Sequence, residues 1–187
     1  MTSLEGWGSA IELHPRGRTG RVPVHSLLAG KSSARPVVAA DMSPNESAPT
    51  DSPRGWVAAH IRDYVESGGD RGHQWKGVPT LLLTSTGRKT GVRRRTALIY
   101  GRDGDSYVVV ASRGGNARHP SWYLNLEAEP AVEVQVGPDV LEATATTATD
   151  AERARLWRMM AGIWPAYDDY QTKTDRRIPV VVLRPRA

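Results

Sequence analysis

The chain of 187 residues contains neither cysteine nor phenylalanine. Without cysteine there is no disulfide, no thiolate metal site and no cysteine nucleophile. The five histidines stand apart, with no HxxxH or HxH spacing, so no metal site is expected. No serine sits in a GxSxG turn, and "GRKTG" lacks the GxxxxGK[ST] spacing of a phosphate-binding Walker loop. No apolar run approaches the ~18 residues of a membrane span, and the N-terminus has no continuous apolar core of a secretory signal. These absences predict a cytoplasmic protein with no integral membrane segment. Peripheral contact with the inner membrane face stays compatible with its charge.

That charge is +5, a balance open to nucleic acid, anionic lipid or a phosphorylated small molecule. Six Trp and six Tyr supply all the aromatic surface. All six Tyr and five of the Trp follow residue 55, which places the core there. Residues 1–51 are rich in Gly, Ser, Ala and Pro and show no apolar period, which predicts a disordered N-terminal extension. Met42 is a natural place for a compact unit to begin, and residues 52–187 are expected to form one domain.

Within that domain, Val57, Ile61, Tyr64 and Val65 recur on one helical face, and Gly68 and Gly69 end the helix. Strands are expected over 80–86, 96–101, 107–111, 132–136 and 140–147, with a last buried strand over 178–183. Short helices are expected between the two prolines of "HPSWYLNLEAEP" and over "WPAYDDYQTKTDR". A longer one starts at Thr149, with Glu152 completing a capping box, and runs to Met160. Strands in hairpin succession with grouped helices do not read as βαβ alternation. They predict a mainly β, α+β fold with an antiparallel barrel or strongly bent sheet.

Three constellations carry chemistry. The first is the loop in "LLLTSTGRKTGVRRRTALIYG", with Arg88, Lys89, Arg93, Arg94 and Arg95 and no acidic residue. It reads either as a solvated turn with Gly87 and Gly91 at positive φ, or as a clamp for phosphate or polycarboxylate. The second is "VVVASRGGNARHPSWYLNL", where a strand ends in Ser112, Arg113, Gly114 and Gly115. It is a plain strand-to-helix connection or an anion nest, with Trp122 and Tyr123 beside it able to hold a planar ring. In the third, Trp164, Tyr167 and Tyr170 fall on one helical face, as core or as a pocket wall. Anion clamps and aromatic walls without an evident nucleophile suit an enzyme whose cofactor carries the chemistry.

The succession "LLLTSTGRKTG", "RRTALIYGRDGDSYVVVASRGG", "HPSWYLNL", "EPAVEVQVG" and "WPAYDDYQTKTDRRIPVVVL" resembles the deazaflavin-dependent nitroreductase and quinone reductase family, which uses coenzyme F420. The likeness covers about residues 52–185. It implies a split β-barrel of the flavin-reductase and pyridoxamine-phosphate-oxidase type. It implies hydride transfer from reduced F420 to a small electron acceptor, whether a quinone, an activated enone or a nitro compound. Because F420 carries a phosphodiester and an oligoglutamate tail, the resemblance gives the basic loop an anion to hold. Carried over by position, it assigns Arg88, Lys89, Thr90, Arg94, Arg95, Thr96 and Ala97 to the cofactor's anionic part. Val110, Ala111, Ser112 and Arg113 would lie along the cofactor. Ser121, Trp122, Tyr123, Leu124, Asn125 and Tyr167 would line its ring. Tyr167 or Tyr170 would be the proton donor or orienting hydroxyl. Arg113 stands where many members have lysine, and Trp164 where some have tyrosine. An F420-reducing dehydrogenase would be an indirect partner, nucleic acid would not be one, and the chain would act as a monomer or homodimer. Two other readings stay open: an F420, FMN or heme carrier of the same barrel type, and a basic nucleic-acid-binding domain.

Overall fold

The computed structural model describes residues 48–53 and 55–186, the side chain of Trp56 excepted. The expected extension lies outside the described residues up to position 47. Its last residues, Thr50–Asp51, form a short strand, β1. Helix α1 follows at Gly55–Glu66, then strands β2 (Gln74–Trp75), β3 (Val78–Thr86), β4 (Arg93–Asp103) and β5 (Ser106–Val110). A 3-10 turn at Arg113–Gly115 leads to helix α2, Ser121–Ala128. Strands β6 (Ala131–Val136) and β7 (Asp139–Thr147), helices α3 (Asp150–Ile163) and α4 (Ala166–Thr172), and strand β8 (Val180–Pro185) complete the chain.

Each expected strand is present, and the capping box forms: Thr149 Oγ1 accepts from Glu152 N, and the Glu152 carboxylate accepts from Thr149 N. The strands run β4–β5–β8–β7–β6–β3, and β3 pairs again with β4. All six of these contacts are antiparallel, so the sheet closes on itself. The mainly β barrel expected from the sequence is therefore the fold.

Alternation along the strands sorts the core into three parts. Leu81, Leu83, Leu98, Tyr100, Val109, Val134, Val181 and Leu183 point inward, and α2 plugs the barrel with Trp122, Tyr123 and Leu126. Outside, Leu82 and Ala97 lie under Val57, Ile61 and Tyr64 of α1. On another outer face, Ile99, Val108, Val110, Val180 and Val182 pack with Leu156 and Met160 of α3 and Tyr167 of α4. Tyr64 locks α1 in place, since its hydroxyl donates to Thr80 O at 3.0 Å and accepts from Gly137 N at 2.8 Å.

Candidate functional site

The barrel wall is incomplete at one place. Strand β5 pairs with β4 only over Tyr100 to Asp103. On the same side β1 pairs with β4 only at Arg94 and Arg95. Between them the β4 edge at residues 96–99 has no strand beside it among the described residues. The chain leaving β5, residues 110–113, flanks this opening. Ser52 N donates to Arg95 O at 3.1 Å, so the peptide groups of Arg95 face this side, and two residues on so do those of Ala97. Ala97 is buried under α1, and it can meet a ligand only through its backbone. On the outer rim Ile99, Val110 and Tyr167 share one apolar cluster, flanked by half-buried Trp164 and Tyr170.

One end of the opening carries the basic loop, and its five cations divide into two classes. Arg93 Nη2 lies 2.7 Å from Glu133 Oε2, and Arg95 Nε lies 2.7 Å from Asp51 Oδ1. Both are neutralised on the outer face of β4. Among the described residues no carboxylate pairs with Arg88, Lys89 or Arg94. Arg94 and Thr96 alternate onto the face that continues into the barrel interior at Leu98. Gly91 takes a positive φ of 68°. Gly87 does not, and its lack of a side chain has a different use. A Cβ there would stand 2.9 Å from Thr90 Oγ1 and 3.0 Å from Val92 O, with Arg94 Nε at 3.8 Å. The bare glycine lets the loop close tightly with the Arg94 head against it.

Helix α2 holds this loop in register. Asn125, 5% exposed, accepts at Oδ1 from Arg88 N at 3.2 Å and from Arg88 Nη1 at 3.4 Å, and its Nδ2 donates to buried Ser85 Oγ at 3.3 Å. Trp122 and Tyr123 face the barrel interior, and Tyr123 Oη lies 3.2 Å from Thr147 Oγ1. Trp122 Nε1 is buried without a hydrogen-bond partner among the described residues, an indole donor left unsatisfied. Ser121 opens the helix after Pro120, and half-buried Leu124 packs on the interior cluster.

The loop after β5 is fixed from its other side. Ser112 is right-handed (φ −71°, ψ −43°), and Arg113 and Gly114 are left-handed (φ 50° and 62°). That right-then-left order turns successive N–H groups to one side, as in an anion nest. Gly115 then meets α4: a Cβ there would lie 2.6 Å from Tyr170 O. Tyr167 and Tyr170 stack edge to face at 6.2 Å. Tyr167 is 5% exposed. Burial, with Tyr170 beside it, pushes its ionisation well above the usual tyrosine range. Trp164 ends α3 and lies 5.5 Å from the ring of Trp75.

The structure thus joins the basic loop to α2 through Arg88 and Asn125, and the β5 exit to α4 at Gly115 and Tyr170. It turns Arg95 away, into an ion pair. Sequence reasoning missed Ser85, which partners Asn125, and Arg176, whose guanidinium bonds the loop after β5. "DRR" ahead of the last strand carries no signal for that role, because its partners are backbone carbonyls far back in the chain.

A family model for F420H(2)-dependent quinone reductase matches residues 56–185. An F420H(2)-dependent quinone reductase of Mycobacterium tuberculosis strain H37Rv is 46% identical over 131 residues, covering 68% of this chain and 88% of that protein. A solved structure of an F420-H2 dependent reductase is similar at TM-score 0.54 and 43% identity, over 57% of this chain and 94% of the other. A second, described as a domain-swapped dimer, is similar at TM-score 0.56 and 38% identity, over 71% of this chain and all of the other (100%).

Proposed function

This chain belongs to the F420H(2)-dependent quinone reductase family, and from that premise we propose that it binds reduced F420 in the opening of its barrel wall and reduces a quinone there. The observation that carries the placement is the union of two unlike surfaces. Strand β4 leaves a loop whose Arg88, Lys89 and Arg94 lack carboxylate partners among the described residues, and carries Ile99 into an apolar rim with Val110 and Tyr167. A ligand with a flat ring at one end and several negative charges at the other matches both.

The residues fit the cofactor in kind. Arg88, Lys89 and Arg94 would hold its anionic tail, with Thr90 and the loop amides beside them. The backbone of residues 96–97 and 110–113 would flank its length, and Trp122 and Tyr167 its ring. When bound, reduced F420 supplies the hydride. The protein's share is to orient donor and acceptor and to keep water out. Tyr167 stays protonated across the physiological range, because burial disfavours its phenolate. It can therefore donate a hydrogen bond or a proton to a reduced acceptor but cannot act as a base. Half-buried Tyr170, with Lys173 Nζ 5.5 Å from its ring centroid, is the alternative donor. Activated enones and nitro compounds are further acceptors for the same site, and a homodimer and a cytoplasmic location complete the reading. Among the described residues no helix is long and apolar enough to cross a membrane.

Titration of the purified chain with F420, FMN and heme, followed by steady-state oxidation of F420H2 with menadione, an enone and a nitroimidazole, tests this function. Saturable F420 binding and menadione-dependent oxidation are expected. Tight FMN or heme binding in place of F420 would overturn the reading.

A further inference from the structure

Arg176 precedes β8, and its whole guanidinium is spent on one loop. Nε donates to Asn116 O at 2.7 Å. Nη2 donates to Ala111 O at 3.2 Å and to Ser112 O at 2.6 Å. Nη1 lies 3.2 Å from His119 Nδ1, which accepts when the imidazole is neutral. These four partners lie 57 to 65 residues upstream, so the contact is made only by the fold.

The loop needs such a holder. Arg113 at φ 50° occupies backbone space that disfavours any residue with a Cβ. A conformation of that kind persists only when its surroundings over-determine it. Within the loop, Ser112 O accepts from Gly115 N at 3.1 Å and Arg113 O from Asn116 N at 3.1 Å. Arg176 binds the carbonyls of Ala111 and Ser112 from outside. Arg176 is itself anchored to the helices that carry the aromatic rim. Gln171 at the end of α4 donates to Arg176 O at 2.9 Å. Gln171 Oε1 accepts from Ile178 N at 3.0 Å and from Arg153 of α3 at 3.1 Å.

We propose that Arg176 is a positioning residue that sets the backbone of residues 111–116 and ties this loop to α3 and α4. The identity of the ligand that meets the loop rests on the function proposed above, but the positioning itself does not. A planar fork of five donors reaches three carbonyls and an imidazole at once, and the single ammonium of lysine cannot. A loop correctly formed for only part of the time weakens a ligand's apparent affinity in proportion to that fraction.

The test uses Arg176→Ala and Arg176→Lys, with Arg155→Ala as control. Arg155 pairs with Asp103 on the surface, remote from this loop. The first measurement is amide hydrogen exchange without cofactor. Gly115 and Asn116 should exchange about 10-fold faster or more in both Arg176 variants, the scale of a lost charge-assisted bond, while amides of α3 keep their protection. The second is F420 affinity by fluorescence titration. It should fall by about 10-fold or more in both variants, while kcat at saturating F420 holds within about 3-fold. Added guanidinium should restore part of the affinity of Arg176→Ala and none of that of Arg176→Lys. Arg155→Ala should match wild type throughout. Unchanged exchange at Gly115 and Asn116 would overturn the positioning role, whatever the ligand. Faster exchange with unchanged F420 affinity would overturn its link to the cofactor. Failure of the wild-type chain to bind F420 would instead overturn the proposed function, and the exchange result would still decide the role of Arg176.

Discussion

If the basic loop is a positioned clamp, its arginines are not equivalent, and a neutralisation series should separate them. Arg94 is half-buried, shares the inward face of β4 with Leu98 and has no carboxylate partner among the described residues. Arg94→Gln keeps most of the stem and removes the charge. A charge-assisted hydrogen bond contributes about 1.5–3 kcal/mol, which is roughly a 10- to 150-fold loss in F420 affinity. Lys89 is exposed, so its contribution should be about 1 kcal/mol or less, roughly 2- to 5-fold. Arg93 and Arg95 are committed to Glu133 and Asp51, both at 2.7 Å. Their Gln variants should change affinity by less than about 2-fold. The assay is fluorescence titration with F420 of short and long oligoglutamate tail, at about 0.1 M and about 1 M salt, where the screening length falls from ~10 to ~3 Å. The Arg94 effect should be larger for the long tail and shrink at high salt. Equal losses in Arg93→Gln, Arg94→Gln and Arg95→Gln would refute the clamp and leave only a diffuse basic field.

Three further outcomes are expected. Tyr167→Phe or Tyr170→Phe should lower kcat/KM by about 10-fold with F420 affinity intact if that hydroxyl serves the acceptor; Tyr64→Phe should spare turnover but cost about 1–3 kcal/mol of stability, because Gly137 N loses its acceptor, as a melting curve would show. His119 is held below its ordinary pKa by burial and then by Arg176, with Glu127 opposing, Arg113 bonded to its carbonyl and the Tyr123 ring 5.0 Å away. The unfolded chain therefore binds the proton more readily, so stability present above pH ~6.5 should decline as pH falls below it, and His119→Gln should remove that part of the pH dependence of Tm. Removal of residues 1–41 should leave Tm and turnover unchanged, whereas removal through Pro53 should lower Tm, because it deletes β1 and the Asp51 partner of Arg95.

Much of this fold was legible because its signals are local. Short apolar runs bounded by turn residues marked β3 to β6 and β8, alternation marked β7, and Thr149 with Glu152 marked the start of α3. Strands β1 and β2 escaped because two residues carry no period. The barrel itself was expected, but its strand order was not legible, because the β3–β6 and β5–β8 pairings join distant segments. The same distance hid which cations are neutralised: Glu133 and Asp51 stand 40 and 44 residues from Arg93 and Arg95. Gly87 invited a reading from backbone freedom, whereas its role is the space it leaves for Thr90 and Arg94. The motif suggested candidate residues, whereas the contacts of Asn125 with Ser85 and of Arg176 with the loop came only from the fold.

The most direct measurement is a single turnover. The purified chain is loaded anaerobically with one equivalent of F420H2 and mixed with menadione, and oxidised F420 is followed by its absorbance. The account predicts full reoxidation on the protein, with one menadiol formed per F420H2 consumed, and slower reoxidation in Tyr167→Phe if that hydroxyl serves the acceptor. F420H2 that binds tightly yet stays reduced in the presence of menadione would make the chain a carrier, and would contradict the claim that it is a reductase.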